Sequence, residues 1–194
     1  SISGTALSAT GVTTGTSIDV TETAGSGGAM TIASPSLAVS VDSSSPSYSI
    51  AAGGTTGQTI GVIKLRATNE AITLNKIGLT LTNSGNTKSS ASGGTTNKGV
   101  SDLVQVYIYD GSTLVGTATF TGTTVSATST LSTPVTLPKD TDKLLTVKAD
   151  LASIGTGQAG GIGDVVKVDP LNAEGSGQSS GATVKSGATG GVAG

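Results

Sequence analysis

The sequence predicts an all-β protein built as an antiparallel β-sandwich, and three observations carry that reading. Short Val/Ile/Leu/Thr segments alternate with polar residues at period two, as strands do when one face meets a core and the other meets water. No segment of useful length carries a helical 3.6-residue period, and Gly, Thr and Val recur too often for stable helices. Turn-forming residues break the alternation at the short intervals expected of a sandwich.

Taken in order, the first strand signal is Leu37, Val39 and Val41 on one face, with Ala38, Ser40 and Asp42 on the other. Ile63, Leu65 and Ala67 then oppose Val62, Lys64 and Arg66. Residues 72–82 change phase: Ile72 and Leu74 hold even positions, whereas Ile77, Leu79 and Leu81 hold odd ones. One uninterrupted strand would turn one of those sets outward, so a bulge, bend or short turn near Asn75-Lys76 is expected. Asn83–Gly99 reads as a polar, Gly-rich loop. The clearest local signal is Tyr109-Asp110-Gly111-Ser112, with Asp-Gly between the alternating runs Leu103–Tyr109 and Thr113–Phe120, which predicts a hairpin. Pro134 and Pro138 bracket Val135-Thr136-Leu137, which suits an edge strand because proline cannot donate to a ladder. Leu145, Val147, Ala149 and Leu151 oppose Leu144, Thr146, Lys148 and Asp150, and Gly155–Gly163 is a second Gly-rich loop.

Both ends differ from the middle. Residues 1–34 and 171–194 are rich in Gly, Ser, Thr and Ala, with isolated apolar residues such as Ile18, Val20, Ile32 and Val184. They share an L-x-A-x-G motif, Leu7-Ser8-Ala9-Thr10-Gly11 and Leu171-Asn172-Ala173-Glu174-Gly175, each leading to a short strand-like segment. A repeat leaves this pattern when the end of one unit is also the beginning of the next.

Composition narrows function more than it narrows fold. The 194 residues include no His, no Cys, no Trp and one Phe, so the usual nucleophile–base pairs, thiolate metal sites and disulfides are absent. The net charge is −2, and the ten Lys/Arg are scattered from Lys64 to Lys185, without the clustered basic face that nucleic acid needs. With 35% hydrophobic and 11% charged residues, solubility rests on Ser, Thr, Asn and Gly. No apolar run approaches the ~20 residues of a membrane span. Ser1-Ile2-Ser3-Gly4-Thr5 has neither the charged nor the apolar region of a signal peptide, so the expectation is an extracellular protein whose signal peptide is already removed.

The remaining chemical candidates each have a simpler reading. Asp140 and Asp142 lie in Lys139-Asp140-Thr141-Asp142-Lys143, where flanking cations keep both carboxylates ionised and a polar turn is expected. Calcium would need about 6–8 oxygens, more than the sequence places nearby. Asp164 and Asp169 flank Val165–Val168 and read as solubilising strand ends rather than as a ligand pair. Tyr107 and Tyr109 share a strand face opposite Val104, Val106 and Ile108; they suit a sugar-stacking platform, or more simply a cover over a neighbouring strand or a subunit contact. The Gly53–Gly57 and Gly155–Gly163 stretches lack the lysine spacing of a phosphate loop. No Asn-x-Ser/Thr sequon occurs, and the abundant Ser/Thr leaves O-glycosylation open. No catalytic residue, cofactor or metal is expected, and the chain is not expected to be an enzyme.

The successions Ser36–Asp42 and Val62–Glu70 resemble the β-sandwich modules of prokaryotic surface-layer and cell-surface proteins, as do Ser101–Val104 with Tyr107–Gly111 and Lys143–Asp150. The resemblance spans about residues 35–175. It implies an immunoglobulin-like (Ig-like) sandwich, often arrayed in tandem, with a structural or adhesive role and no active site. The expected organisation is therefore an N-terminal extension (1–34), a sandwich (35–175) and a Gly-rich C-terminal tail (176–194). An isolated sandwich has exposed sheet edges, which proteins cover or protect. The expected function joins these features: a structural subunit of an extracellular, pilus-like filament, in which residues 1–34 of one copy complete the sheet of the next. Leu7, Ile18 and Val20 are the expected apolar anchors, each worth ~1.5–3 kcal/mol before ordering costs. The expected partners are copies of the chain itself, with cell-surface glycans as a further class. The alternative is a monomeric surface-layer or adhesin module from a longer tandem array, with residues 1–34 folded back onto the same molecule.

Overall fold

A computed structural model of the chain describes residues 9–18, 28–82, 99–122 and 124–186. The chain divides into two compact units, residues 1–33 and residues 34–194. In the first, β1 (Ala9–Thr10) and β2 (Ser17–Ile18) pair antiparallel across a turn closed by Gly11 N–H donating to the Thr16 carbonyl at 2.9 Å. Residues 28–33 run outside any sheet.

The second unit is an antiparallel β-sandwich with no α-helix among the described residues, and therefore no helix able to cross a membrane. Its five-stranded sheet has the order β3 (Ser36–Val41), β4 (Gln58–Thr68), β9 (Asp142–Leu151), β6 (Leu103–Asp110) and β7 (Thr113–Ala118). The four-stranded sheet has the order β11 (Thr183–Ser186), β10 (Val168–Gly177), β5 (Ile72–Leu81) and β8 (Ser126–Leu137). The predicted alternation places the core. Ile63, Leu65 and Ala67 of β4 and Leu145, Val147 and Ala149 of β9 are buried with β5 and β8 residues, among them Leu79 and Leu137. Each large aliphatic side chain so enclosed contributes about 1.5–3 kcal/mol relative to exposure.

The phase change in β5 resolves as a bulge. Leu74 pairs with Gly175 and Lys76 with Glu174, which leaves Asn75 as the extra residue. The inserted residue rotates the strand by one position, so Ile72, Leu74, Ile77, Leu79 and Leu81 are all buried. Opposite the same bulge, β8 passes from Thr130 to Val135 between partners Lys76 and Leu74. Strand β8 lies at a sheet edge, where Pro134 breaks no ladder on the open side. The Asp-Gly signal is a hairpin: Asp110 pairs with Thr113, and Gly111 takes φ +60° in the two-residue turn.

Two features differ from the sequence reading. Val104 does not share the face of Val106 and Ile108: it is exposed, because the register shifts between Leu103 and Gln105. Within the segment expected as a Gly-rich tail, Thr183–Ser186 pairs with Ala173–Ser176, and Val184 and Ser186 point inward. Ser186 Oγ accepts the Ala173 N–H at 2.7 Å, which satisfies a buried donor at the end of the ladder.

The β10–β11 turn is fastened to the β4–β5 turn by Glu70. Its carboxylate accepts the Ser179 and Ser180 backbone N–H groups at 3.0 Å each, together with the Ser180 hydroxyl. The Ser180 hydroxyl, followed by these backbone donors, holds the Glu70 carboxyl below its ordinary value. A depressed folded-state value means stabilisation above the unfolded-state value that is lost as pH falls through the folded-state value. Glu70→Gln is therefore expected to lower the urea midpoint at pH 7 and to narrow the gap between the pH 7 and pH 3 midpoints. An unchanged gap would contradict the assignment.

Candidate functional site

The second unit carries a cleft of about 420 Å³, built where three segments leave the sheets. After β3, Asp42 organises a turn by accepting the Ser44 N–H at 2.9 Å and the Ser44 hydroxyl at 2.6 Å, and these bonds lower its pKa. Ser45 Oγ then accepts the Val62 N–H at 2.8 Å, pinning the turn to β4 while residues 46–52 run outside the sheet. Tyr48 and Ile50 on this segment are 76% and 88% exposed, and both line the cleft. The opposite wall is the loop after β9, where Gly160 N–H donates to the Ser153 carbonyl at 3.0 Å and the exposed Ile154 and Val165 face the opening.

The third segment is the 3-10 turn Val100–Asp102 that leads into β6. Asp102 is only 6% exposed. Its Oδ1 accepts the Gly161 N–H at 2.7 Å, while its Oδ2 is buried with no hydrogen-bond partner. The Asp164 carboxylate lies against it, and Asp164 Oδ2 is likewise buried without a donor. Burial raises the Asp102 carboxyl above its ordinary value; the Asp164 charge adds to that rise, and the Gly161 N–H opposes it.

The candidates singled out from sequence are placed differently. Ile18 lies in β2, half exposed, whereas Leu7 and Val20 fall outside the described residues. Asp142 pairs with Arg66 at 2.9 Å across β4 and β9, and Asp140 turns the chain at φ +55°. Asp164 and Asp169 have separate partners: Asp164 meets Asp102, while Asp169 pairs with Lys167 at 3.1 Å and accepts the Thr82 hydroxyl. Tyr107 donates its hydroxyl to Asp150 Oδ2 at 2.8 Å, and the Lys148 ammonium sits 5.0 Å from the centre of the Tyr109 ring, so both rings are tied to β9. Among the described residues, no group of three or more His, Cys, Asp or Glu side chains is placed to hold a metal ion.

The sequence reading passed over Met30 and noted Ile32 only as an isolated apolar residue, not as an anchor. They stand two residues apart in Ala29-Met30-Thr31-Ile32-Ala33, and they are 92% and 95% exposed. Their period-two spacing was a legible signal. Comparison with known protein families, curated proteins and solved structures finds no match to this chain.

Proposed function

We propose that the chain is a structural subunit of an extracellular, pilus-like filament, in which the N-terminal segment of one copy lies along the sandwich of the next. The observation that carries this reading is a complementarity within one sequence. Residues 28–33 offer two large apolar side chains on alternate positions, and the cleft offers Tyr48, Ile50 and Val165 on backbone outside the sheets. Large apolar groups left in water mark an interaction surface, and an extended segment with alternate anchors is the form that strand addition takes. Of the anchors expected from sequence, Ile18 lies half exposed in the same N-terminal unit.

The sheet edges supply a second ingredient. Among the described residues β3, β7, β8 and β11 each form a ladder on one side only; β7 packs against β8 and β3 against β10 and β11, so strand addition has to use the backbone groups these contacts leave unpaired. Because the donor and acceptor surfaces differ, the contact is head to tail and propagates rather than closing on a dimer. A chain lacking residues 1–33 is expected to remain folded and monodisperse by light scattering and to show no fibres by electron microscopy, whereas the full chain forms fibres. Fibres from the truncated chain would overturn donation by this segment. The alternative reading, a surface-layer or adhesin module from a tandem array, draws on the β1–β2 hairpin's internal pairing and predicts a stable monomer from the full chain.

A further inference from the structure

We propose that the Asp102–Asp164 pair is a binding site for a divalent cation with oxygen preference, calcium being the ion to test. The inference is independent of the filament reading. It rests on an electrostatic mismatch inside the cleft wall: two carboxylates face one another, and each carries a buried oxygen, Asp102 Oδ2 and Asp164 Oδ2, with no donor. An ionised carboxylate only accepts hydrogen bonds, so two of them placed together call for a positive centre, a cation or a shared proton, at the two oxygens.

Among the described residues, no lysine or arginine forms an ion pair with Asp102 or Asp164. Lys167 lines the same cleft, but its ammonium is paired with Asp169 at 3.1 Å. The Gly161 N–H is spent on Asp102 Oδ1, and the other oxygen is left without a donor. Backbone holds both carboxylates in place. Asp102 sits in the 3-10 turn, with its own carbonyl accepting the Ala152 N–H at 2.8 Å, and the Asp164 N–H turns back to the Gly161 carbonyl. The absence of a side chain on Gly161 leaves room for the Asp164 carboxylate, which a Cβ there would displace. The donor set is carboxylate oxygen alone, which suits calcium or magnesium over zinc or copper. Both residues line the cleft, and water entering with the ion would complete the shell of about 6–8 oxygens that calcium takes. Two protein carboxylates and a solvated shell place the affinity on the order of 10⁻⁴–10⁻³ M, the range of extracellular calcium modules.

The test uses the full chain, stripped with chelator and held at pH 7. Calcium at about ten times its dissociation constant is expected to raise the melting temperature of the sandwich by roughly 3–6 °C. Asp164→Asn is expected to lose that rise, and Asp142→Asn, which lies outside the cleft, is expected to keep it. If Asp164→Asn fails to fold, terbium titration of the unsubstituted chain decides: one calcium-displaceable ion per chain supports the site, and no bound ion overturns it. The proposal also falls if neither calcium nor magnesium shifts the melting temperature, or if Asp164→Asn responds as the unsubstituted chain does. A chain stabilised by acid alone, with no cation response, would identify a carboxyl pair sharing a proton instead.

Discussion

Gly175→Val is expected to destabilise the sandwich by about 3–5 kcal/mol, lowering its melting temperature by roughly 10 °C or more. Gly175 lies in β10, between β11 and β5, where the register steps past the Asn75 bulge. A Cβ at this position would stand 2.5 Å from the Thr73 carbonyl oxygen, 2.6 Å from Ile72 Cγ2 and 3.2 Å from Leu74 Cα. Two of these atoms belong to the backbone of the neighbouring strand and cannot rotate aside. Relief therefore requires separating β10 from β5, which carries five of the buried aliphatic residues. Urea denaturation followed by circular dichroism reads the effect as a lower midpoint. A change under 0.5 kcal/mol would show that the β5–β10 approach is looser than described.

Much of the fold was legible because strand periodicity is a local property. The alternation of β4 and β9 placed their core faces correctly, and the phase change within Ile72–Leu81 anticipated the bulge, since one buried face cannot change parity without an extra residue. The Asp110-Gly111 hairpin followed from the φ > 0 that the turn demands. Failures came where pairing, not sequence, decides. Val104 continues the alternation on paper, yet the shift against β9 turns it outward. Strand β11 has little apolar content and is a strand because β10 offers it a ladder.

The cleft was harder to see. Residues 46–52 carry no period, and the sequence gives no reason for Asp102 to approach a Gly-rich loop whose Gly161 lies 59 residues away. Asp164 was noticed beside Asp169, its neighbour in sequence, although its partner in space is Asp102. Long-range carboxylate pairing of this kind leaves no spacing signature. The Met30/Ile32 pair did leave one, but the surrounding Gly/Ser-rich composition masked it.

The account turns on whether the N-terminal segment is given to another molecule, and the chain's lack of cysteine makes this directly measurable. A chain carrying both Ile32→Cys and Ile50→Cys places one thiol on the donated segment and one in the cleft, at positions that are nearly fully exposed. A disulfide requires the two Cα atoms to come within about 4.4–6.8 Å, so oxidation reports docking rather than chance proximity. Mild oxidation of this chain, resolved on a denaturing gel without reductant, is expected to give a ladder of covalent multimers that collapses on reduction. Each single-cysteine chain should stop at a faint dimer. A double-cysteine chain that closes on itself as a monomer, or that fails to link under conditions where fibres form, would contradict strand donation between copies.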